Sequence, residues 1–370
     1  MMTSYRPTRM SISRSAIVQN IQNIKRYYEE QNRPIRHFFA VVKANGYGHG
    51  MEEVVRASES EVNYFAVATV DEALRLRKMT KLPILVLGPS PVESIPEAVT
   101  HQITLTVPSV EWLVEAENQY PREPLILHMK LNTGMNRIGL QTGEEIERAF
   151  QLLRNTAYEI EGVFTHFARA DEEERSWTDE QVRIFEELLQ YFPERPSIVH
   201  VSNSAATLRF PEYVYDGVRY GISLYGLPPS PYVETILPIR LIKAMTLTTE
   251  VAKITKVPSQ SQISYGGTYE TKKLEYVATL PIGYADGLRR QLTGQQVIIK
   301  GSKYPIIGTI CMDQCMILVN ENISVGEIVT LIGIDKGEEI SVNDWSNSLN
   351  TINYEVCTSF SARISRELSQ

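Results

Sequence analysis

The feature that most constrains the fold is an alternation of short apolar runs with amphipathic helical stretches, which continues to residue 220. Eight runs have the length of strands and lie at 37–43, 64–70, 84–88, 103–107, 125–132, 160–168, 198–204 and 214–220. Helical spacing is clear at 71–79, 110–118, 144–153 and 179–192. Strands that alternate with helices pair in parallel, and eight of them favour a closed (β/α)₈ barrel of the TIM type. An open doubly wound sheet remains an alternative on this pattern alone.

A change in texture marks the end of this region. The proline cluster Leu-Pro-Pro-Ser-Pro at 227–231 cannot be a helix interior or a central strand, so it is interpreted as a connector. Beyond residue 239 strand-like runs dominate, at 245–257, 274–280, 296–300, 311–319 and 327–332. We therefore predict an α/β chain with a barrel domain over 1–238 and a mainly-β domain over 239–370.

Composition excludes several classes of protein. Of the 370 residues, 43% are hydrophobic and 22% charged, as in ordinary globular proteins. A net charge of −7 without basic blocks argues against a nucleic-acid or anionic-membrane partner. No apolar run reaches the roughly 20 residues that a membrane span needs. The three cysteines Cys311, Cys315 and Cys357 fit free thiols in a cytoplasmic protein. Half a metal site at the first two is an alternative, but no second ligand pair follows, and no metal is expected.

The N-terminal segment allows two interpretations. Residues 1–28 contain basic residues and serines and no acid, as organelle transit peptides do. However, Ile17, Ile21, Ile24 and Tyr28 recur at helical spacing. We therefore predict a helix that belongs to the folded domain.

Lys43 is the first candidate functional residue, because it ends the apolar run that begins the alternation. Functional residues of (β/α)₈ barrels lie at the C-terminal ends of the strands. Desolvation there disfavours the ammonium form of a lysine and frees its amine as a nucleophile toward an aldehyde. The alternative is a lysine whose ammonium group simply reaches solvent from a strand end.

The residues around Lys43 carry a resemblance. The segment 40–50, Ala-Val-Val-Lys-Ala-Asn-Gly-Tyr-Gly-His-Gly, resembles the signature of alanine racemases, in which the lysine binds pyridoxal 5′-phosphate (PLP) as a Schiff base. The resemblance implies that the Tyr47 hydroxyl reaches the cofactor phosphate. Further motifs extend it to residue 355, over nearly the whole chain.

The segment 130–139, Lys-Leu-Asn-Thr-Gly-Met-Asn-Arg-Ile-Gly, is similar to the fifth-strand motif of the family. The resemblance implies a carbamylated Lys130, and an Arg137 that touches the substrate carboxylate and the cofactor ring oxygen. A carbamate forms only from a neutral amine, which requires a lowered pKa at Lys130. The family usually has aspartate where this chain has Asn132, so one negative charge that would accompany Lys130 is missing. A plain lysine contact at a strand end is the alternative.

The resemblance implies that Arg219 faces the pyridine nitrogen of PLP and that His166 contacts both Arg219 and the cofactor ring. Arginine can only donate hydrogen bonds, so the ring nitrogen would remain unprotonated. The ring would then withdraw fewer electrons from the substrate, which would suppress transamination. If Arg219 were a surface ion-pair partner, this argument would not apply.

The resemblance also implies a phosphate site after the seventh and eighth strands. Asn203 and Ser204 begin a helix there, and Ser204 would offer its hydroxyl and backbone N–H groups. Gly221 and Ile222 would add two more backbone N–H groups, at a place where many barrels bind phosphate. Ser204 could equally be only a helix cap.

The second domain is expected to complete the site. Ile-Ser-Tyr-Gly-Gly-Thr-Tyr at 263–269 resembles the catalytic-tyrosine motif of the family, and Tyr265 would move the proton on the face opposite Lys43. Its unperturbed phenol pKa is about 10, so it would need a cationic or desolvated setting near neutrality. The resemblance implies that Tyr284 lines the substrate entrance, that the Met312 backbone binds the substrate carboxylate, and that Tyr354 lies near the phosphate. In the family, the catalytic tyrosine, the Met312-type donor and the entrance tyrosine come from a partner subunit. The resemblance therefore implies a homodimer with composite sites.

The resemblance therefore implies PLP-dependent interconversion of L- and D-alanine by two bases, supplying D-alanine for peptidoglycan. A racemase with broader specificity, for example for serine, is an alternative, because a methyl and a hydroxymethyl differ by only about 1–3 kcal/mol in an apolar pocket. A barrel-type PLP decarboxylase is disfavoured, since no glycine-rich phosphate loop is found and Arg219 replaces a carboxylate. A non-enzymatic PLP carrier would not need Tyr265 and Met312.

Overall fold

The structure is a computed structural model that describes residues 5–370. Residues 1–4, with which the predicted barrel domain and the basic N-terminal segment begin, lie outside the described residues. The chain forms two compact units. The barrel unit comprises Ser15–Gly46 and Val54–Lys243, and the sheet unit comprises the chain up to Arg14, Tyr47–Glu53 and Ala244–Gln370. The predicted boundary at 238/239 lies close to the last of these divisions and stays a prediction.

The barrel unit is built on eight parallel strands, one for each apolar run of the sequence. Strand β1 belongs to the sheet unit, so the barrel strands are numbered β2 (His37–Val41), β3 (Tyr64–Val67), β4 (Ile84–Val86), β5 (Ile103–Val107), β6 (Ile126–Lys130), β7 (Glu159–Phe164), β8 (Ile198–His200) and β9 (Gly217–Tyr220). Their order is β8-β7-β6-β5-β4-β3-β2-β9. A parallel bridge between Ser202 and Val218 closes the ring, and the Arg219 N–H donates to Ser202 O at 2.9 Å. The predicted barrel is therefore confirmed, and the open sheet is excluded.

Helices precede, connect and follow the strands of the barrel unit. They are Arg14–Glu30, Met51–Ser58, Val70–Arg77, Ile95–Thr100, Val110–Gln119, Gly143–Leu153, Ser176–Leu189, Ser204–Arg209 and Pro231–Thr235, of which Arg14–Glu30 and Met51–Ser58 begin in the sheet unit. In the first helix the four apolar residues at helical spacing, Ile17, Ile21, Ile24 and Tyr28, are fully buried. This segment is thus part of the folded chain, as predicted. No helix within residues 5–370 is long and apolar enough to cross a membrane.

The sheet unit contains the remaining strands. They are β1 (Arg9–Ser13), β10 (Met245–Glu250), β11 (Lys253–Val257), β12 (Gln262–Ile263), β13 (Tyr269–Glu270), β14 (Glu275–Leu280), β15 (Gln296–Ile299), β16 (Ser302–Ile307), β17 (Cys315–Val319), β18 (Ile328–Asp335), β19 (Glu338–Ile340) and β20 (Ser365–Ser369). Most form one sheet, in the order β11-β14-β17-β16-β15-β18-β10-β1-β20, while β12 and β13 form a separate hairpin. Two helices, Val342–Leu349 and Asn353–Thr358, precede β20. The predicted mainly-β region is confirmed.

Strand β1 was not predicted. It pairs antiparallel with β10 and parallel with β20, so the first strand of the chain lies between two strands of the C-terminal region. Met10 and Ile12 alternate with more accessible neighbours and are fully buried, which is the period of a half-buried strand. Five residues are too few for this period to stand out in the sequence. The partner strands are more than 200 residues away, so only the folded chain reveals the pairing.

Candidate active site

Lys43 follows β2 and begins a turn of unusual handedness. The next four residues, Ala44, Asn45, Gly46 and Tyr47, have φ values of 51°, 55°, 63° and 50°. Left-handed backbone costs roughly 1–2 kcal/mol for each residue with a side chain, and such strain is concentrated at functional sites. The turn is held on one side by Glu72, which accepts hydrogen bonds from the N–H groups of Ala44 (2.7 Å) and Ala68 (2.8 Å). The sequence analysis did not identify Glu72.

The surroundings of Lys43 favour its neutral form. Burial lowers its pKa, and the positive charges of Arg137 and Arg219 lower it further, while Glu72 acts in the opposite direction. The neutral amine is the form that attacks an aldehyde or accepts a proton. The interpretation of Lys43 as a lysine reaching freely into solvent is therefore not supported by its environment.

Arg219 is almost completely enclosed within the barrel unit, with 3% of its surface exposed. Its guanidinium donates to His200 Nδ1 and His200 O at 2.9 Å, to Thr165 O at 2.7 Å and to Val201 O at 2.9 Å. A longer contact of 3.4 Å reaches His166 Nδ1. All of these acceptors are neutral. The interpretation of Arg219 as a surface ion-pair partner is excluded.

The charge of Arg219 is therefore not balanced by a neighbouring carboxylate within the described part of the chain. Burial lowers its pKa to about 9, and Arg137 contributes to the shift. The guanidinium nevertheless remains protonated at neutral pH. A buried cation without a counterion is costly, so this position is suited to an anionic or electron-rich ligand.

Lys130 lies in the same cationic environment. It is 2% exposed, and its ammonium group donates to Leu131 O at 2.6 Å. Burial, followed by Arg219 and Arg137, lowers its pKa to about 7, so a large fraction is neutral at physiological pH. Asn132 contacts the loop instead of this lysine, since its Oδ1 accepts from the Asn136 N–H at 2.8 Å.

The predicted phosphate-side residues of the barrel unit form a compact group. Ser204 begins the helix Ser204–Arg209, and the Asn203 side chain caps that helix by accepting from the Ala206 N–H at 3.0 Å. The Ser204 Oγ accepts from the Gly221 N–H at 2.8 Å, which leaves its own hydroxyl hydrogen for another acceptor. Ile222 follows at the start of a 3₁₀ turn. Gly221 thus connects this group to the end of β9.

The chemistry of the barrel unit corresponds to that of PLP. The cofactor brings an anionic phosphate and an electron-rich ring nitrogen. The unit offers buried cations whose charge is not balanced by acidic neighbours, a hydroxyl at a helix N-terminus, and a lysine whose neutral form is favoured. The residues present therefore fit the group.

In the sheet unit, three predicted residues project from loops that are hydrogen-bonded to one another. Tyr265, Tyr284 and Met312 have 74%, 42% and 53% of their surface exposed. Ser264 Oγ donates to Thr309 O at 2.5 Å, and Thr309 Oγ1 donates to Tyr265 O at 2.8 Å.

The other two loops of this group are linked in the same way. The N–H groups of Tyr284 and Ala285 donate to Cys311 O and Met312 O, both at 3.0 Å. Main-chain bonds thus fix the loops, while the three side chains remain accessible.

The two predicted phosphate tyrosines also come together in the sheet unit. The ring centroids of Tyr47 and Tyr354 are 6.1 Å apart. Gly48, next to Tyr47, has a φ of 79°, and a Cβ atom at this position would lie 1.9 Å from Cys357 O. Only glycine permits the backbone to pass so close to the helix that carries Tyr354.

Sequence reasoning missed a group of polar residues inside the barrel. His128 and His200 are fully buried, and His200 binds Arg219 directly. His128 in turn contacts Glu161 at 2.9 Å. The available signal was the position of these polar residues within otherwise apolar strands, where alternate side chains point into the barrel.

Comparison with known proteins agrees with this geometry. Residues 12–229 match the alanine racemase N-terminal domain, and residues 244–368 match the alanine racemase C-terminal domain. An alanine racemase of Halalkalibacterium halodurans is 43% identical, over 98% of this chain and 95% of that protein. Alanine racemase 1 of Bacillus subtilis is 41% identical, over 98% and 93%.

Solved structures agree as well. Alanine racemase from Bacillus anthracis with bound L-Ala-P has a TM-score of 0.94 and 40% identity, covering 100% of this chain and 96% of the other. Histidine racemase from Leuconostoc mesenteroides subsp. sake has a TM-score of 0.93 and 29% identity, covering 100% and 99%. Both family domains are matched along nearly the whole sequence, and the chain belongs to the alanine racemase family.

Proposed function

We propose that this chain interconverts L- and D-alanine with PLP as cofactor, and that Lys43 and Tyr265 move the proton on opposite faces of the substrate Cα. The observation that carries the proposal is the environment of Lys43, a partly desolvated lysine whose neutral form is favoured beside the cations Arg137 and Arg219. The family to which the chain belongs supports the same activity.

Nine residues are proposed to hold the cofactor: Lys43, Tyr47, His166, Asn203, Ser204, Arg219, Gly221, Ile222 and Tyr354. When bound, PLP withdraws electrons from the substrate and so acidifies the hydrogen at Cα. Arg219 would leave the ring nitrogen unprotonated because a guanidinium donates hydrogen bonds and accepts none. This arrangement would restrain transamination while it permits proton exchange.

Two acid–base groups account for inversion at one carbon. A single base would return the proton mainly to the face from which it was taken. Lys43 Nζ is assigned the proton of the D-enantiomer, and the Tyr265 hydroxyl that of the L-enantiomer. Arg137 and the Met312 backbone N–H are assigned the substrate carboxylate, and Tyr284 the entrance.

Lys130 is proposed as the carbamylated lysine. Its pKa of about 7 meets the requirement for a neutral amine. A carbamate would add a negative charge in an environment dominated by Arg219 and Arg137. The mass of the intact protein, measured under native conditions, should be larger in bicarbonate-containing buffer than in CO₂-free buffer by one carbamate. Lys130→Met should abolish this difference.

The homodimer with composite sites is also part of the proposal. It is supported by Tyr265, Tyr284 and Met312, which the single chain leaves accessible on loops fixed by main-chain hydrogen bonds. Side chains that act in catalysis need a water-poor surrounding, and a partner subunit would supply it. The three free cysteines support a reducing compartment, the cytoplasm.

The activity and the roles of the two bases can be tested together. The purified protein, reconstituted with PLP, should racemise either enantiomer of alanine, measured by chiral chromatography. In deuterium oxide, Tyr265→Phe should reduce deuterium incorporation at Cα more strongly with L-alanine as substrate than with D-alanine as substrate. Equal losses from both enantiomers would contradict the division of roles, and an absence of racemisation in the parent protein would refute the activity.

Complementation tests the composite site. Lys43→Ala and Tyr265→Phe should each be inactive as homodimers. In a mixed dimer with composite sites, one site carries both changes and the other carries neither, so about half of the parent activity per dimer should return. If each chain formed its own site, both sites of the mixed dimer would contain one defect and no activity would return.

Substrate range needs a separate measurement, because a histidine racemase shares this fold at 29% identity. A panel of L-amino acids that includes alanine, serine and histidine should give alanine the highest kcat/KM. A preference for serine would replace the proposed substrate and leave the proton-transfer chemistry intact. Supply of D-alanine for peptidoglycan is the expected cellular role.

A further inference from the structure

A row of hydrogen bonds leads from Arg219 through the barrel interior to a carboxylate. Arg219 Nη1 lies 2.9 Å from His200 Nδ1, and His200 Nε2 lies 2.9 Å from His128 Nδ1. His128 Nε2 lies 2.9 Å from Glu161 Oε2. We refer to Arg219, His200, His128 and Glu161 as the interior row. None of its last three members contacts a residue that the proposed function assigns to the substrate.

The chemistry of Arg219 sets the direction of every bond in this row. A guanidinium can only donate, so His200 Nδ1 must be the acceptor. A neutral imidazole with an unprotonated Nδ1 carries its hydrogen on Nε2, so His200 donates to His128 Nδ1. By the same reasoning His128 carries its hydrogen on Nε2 and donates to Glu161. All three hydrogen bonds therefore point toward the carboxylate.

The packing around His200 fixes the plane of its ring. Its ring is stacked between Phe39, with centroids 4.6 Å apart, and Phe164, with centroids 4.9 Å apart. Two apolar faces hold the plane of the imidazole and disfavour its charged form. Burial lowers the pKa of His200 and of His128, in agreement with two neutral rings. Each ring can then relay polarisation without holding a charge.

Glu161 is the acidic end of the row. Its side chain is 27% exposed, and its Oε2 also accepts from Tyr64 OH at 2.9 Å, which Thr104 contacts at 2.8 Å. Burial raises the pKa of this carboxyl, but hydrogen bonds from His128 and Tyr64 hold the pKa below its ordinary value. Glu161 is therefore an anion, linked to Arg219 by two imidazoles.

We propose that Glu161 is a positioning residue for Arg219, acting through a fixed pair of histidine tautomers in the interior row. An imidazole that donates to an anion becomes a better acceptor at its other nitrogen, and hydrogen bonds in a chain strengthen one another. Glu161 thereby strengthens His200 Nδ1 as the acceptor that orients the guanidinium. The inference rests on the proposed function, because it concerns the residue that faces the cofactor ring.

The tautomers can be observed without any variant. Neutron diffraction from deuterium-exchanged crystals of the PLP-loaded enzyme locates the hydrogens that X-ray data at ordinary resolution do not show. Deuterium is expected on Nε2 alone in both His200 and His128, and none on Glu161. Deuterium on Nδ1 of either ring, or on both nitrogens of one ring, would overturn the inference.

The effect on the reaction is tested with Glu161→Gln, which removes the charge and keeps the size. Its matched control is Glu159→Gln, an exposed position two residues earlier on β7. Glu161→Gln is expected to lower racemisation about 3- to 30-fold. Because Arg219 is held less firmly, the keto acid released by transfer of the amino group to PLP should increase relative to racemisation. Glu159→Gln should leave both values unchanged.

A double-mutant cycle separates a relay from a general loss of structure. Once His128→Asn has broken the row, adding Glu161→Gln should change the ratio of transamination to racemisation no further. Independent, additive effects of the two changes would overturn the inference.

If Glu161→Gln does not fold, Glu161→Asp keeps the charge but is too short to reach His128, and it should produce the same change in the ratio. If the wild-type enzyme racemises alanine and Glu161→Gln has the same racemisation rate and the same ratio of transamination to racemisation, this inference alone is refuted. A wild-type enzyme without activity would refute the proposed function.

Discussion

The two units hold their candidate site residues in opposite ways. In the barrel unit, Arg219 and Lys130 are almost completely buried, and main-chain carbonyls and neutral rings accept their hydrogen bonds. In the sheet unit, Tyr265 is mostly exposed, and the structure holds its backbone instead of its side chain. The barrel residues thus contribute to the fold and to the site at once, whereas the exposed residues of the sheet unit contribute little to the fold.

One property is common to both. Each proposed base has neighbours with side chains in left-handed backbone: Ala44 and Asn45 follow Lys43, and Ser264, with a φ of 65°, precedes Tyr265. Such conformations persist only where the surrounding structure enforces them. Both units therefore use backbone strain to direct a side chain, but among the candidate site residues only those of the barrel unit add the cost of buried charge.

Arg219→Ala should have the largest effect. It leaves the carbonyls of Thr165, His200 and Val201 without their present donor in a buried place, at about 1–3 kcal/mol each. Because removal of the unbalanced charge offsets part of this cost, the unfolding free energy should fall by about 3–5 kcal/mol. Racemisation should be lost as well. Urea unfolding followed by tryptophan fluorescence measures the first effect and chiral chromatography the second. A fully stable Arg219→Ala protein would show that its hydrogen bonds do not support the fold.

Lys130→Met should act in the opposite direction. In CO₂-free buffer, where Lys130 carries no carbamate, replacing its buried ammonium by an apolar chain of similar size is expected to raise the unfolding free energy by about 1–4 kcal/mol at neutral pH. The folded pKa is about 7 and the unfolded one about 10.5, so the folded chain binds fewer protons between these values. Stability of the parent protein therefore rises as pH rises from 7, and the advantage of the variant should shrink toward pH 10.

The measurement for this variant is urea unfolding at several pH values. The exposed Lys81→Met is its control and should show no such trend. An advantage of Lys130→Met that stays constant from pH 7 to 10 would contradict the lowered pKa.

Gly48→Ala tests the close approach within the sheet unit. The new Cβ would lie 1.9 Å from Cys357 O. Gly326 has a comparable φ of 86°, and a Cβ added there would have no atom within 4 Å. Both variants carry the strain of left-handed alanine, so their difference isolates the overlap. Gly48→Ala should be about 1–3 kcal/mol less stable than Gly326→Ala in urea. Equal stability would mean that the backbone near Tyr354 moves easily.

Tyr265→Phe should have the smallest effect on stability and sharpens the comparison most. The side chain is 74% exposed, so the unfolding free energy should change by less than about 0.5 kcal/mol. Racemisation should nevertheless fall by about 10²- to 10⁴-fold, the usual contribution of an acid–base group. The same urea and chromatography measurements apply. A loss of stability like that of Arg219→Ala would remove the distinction between the two units.

The barrel was predictable from the sequence because each strand and helix produces its own local period. Residues 37–220 carry eight apolar runs, and every one overlaps an observed strand. The motif residues were found because they lie in short contiguous segments. His200, His128 and Glu161 were not found, since three residues on different strands form a row only when the barrel has closed. Strand β1 was missed for the same reason.

The sequence by itself determined the strand–helix alternation, the change to a β-rich region and the identity of Lys43 and Tyr265 as candidates, because these depend on neighbours along the chain. The tertiary structure alone decided which charges are buried and which hydrogen bonds they make. Burial lowers the pKa of Lys43, Lys130 and Arg219, and the single row of donors fixes two histidine tautomers. Electrostatic effects of this kind depend on distances through space, and the folded chain sets those distances.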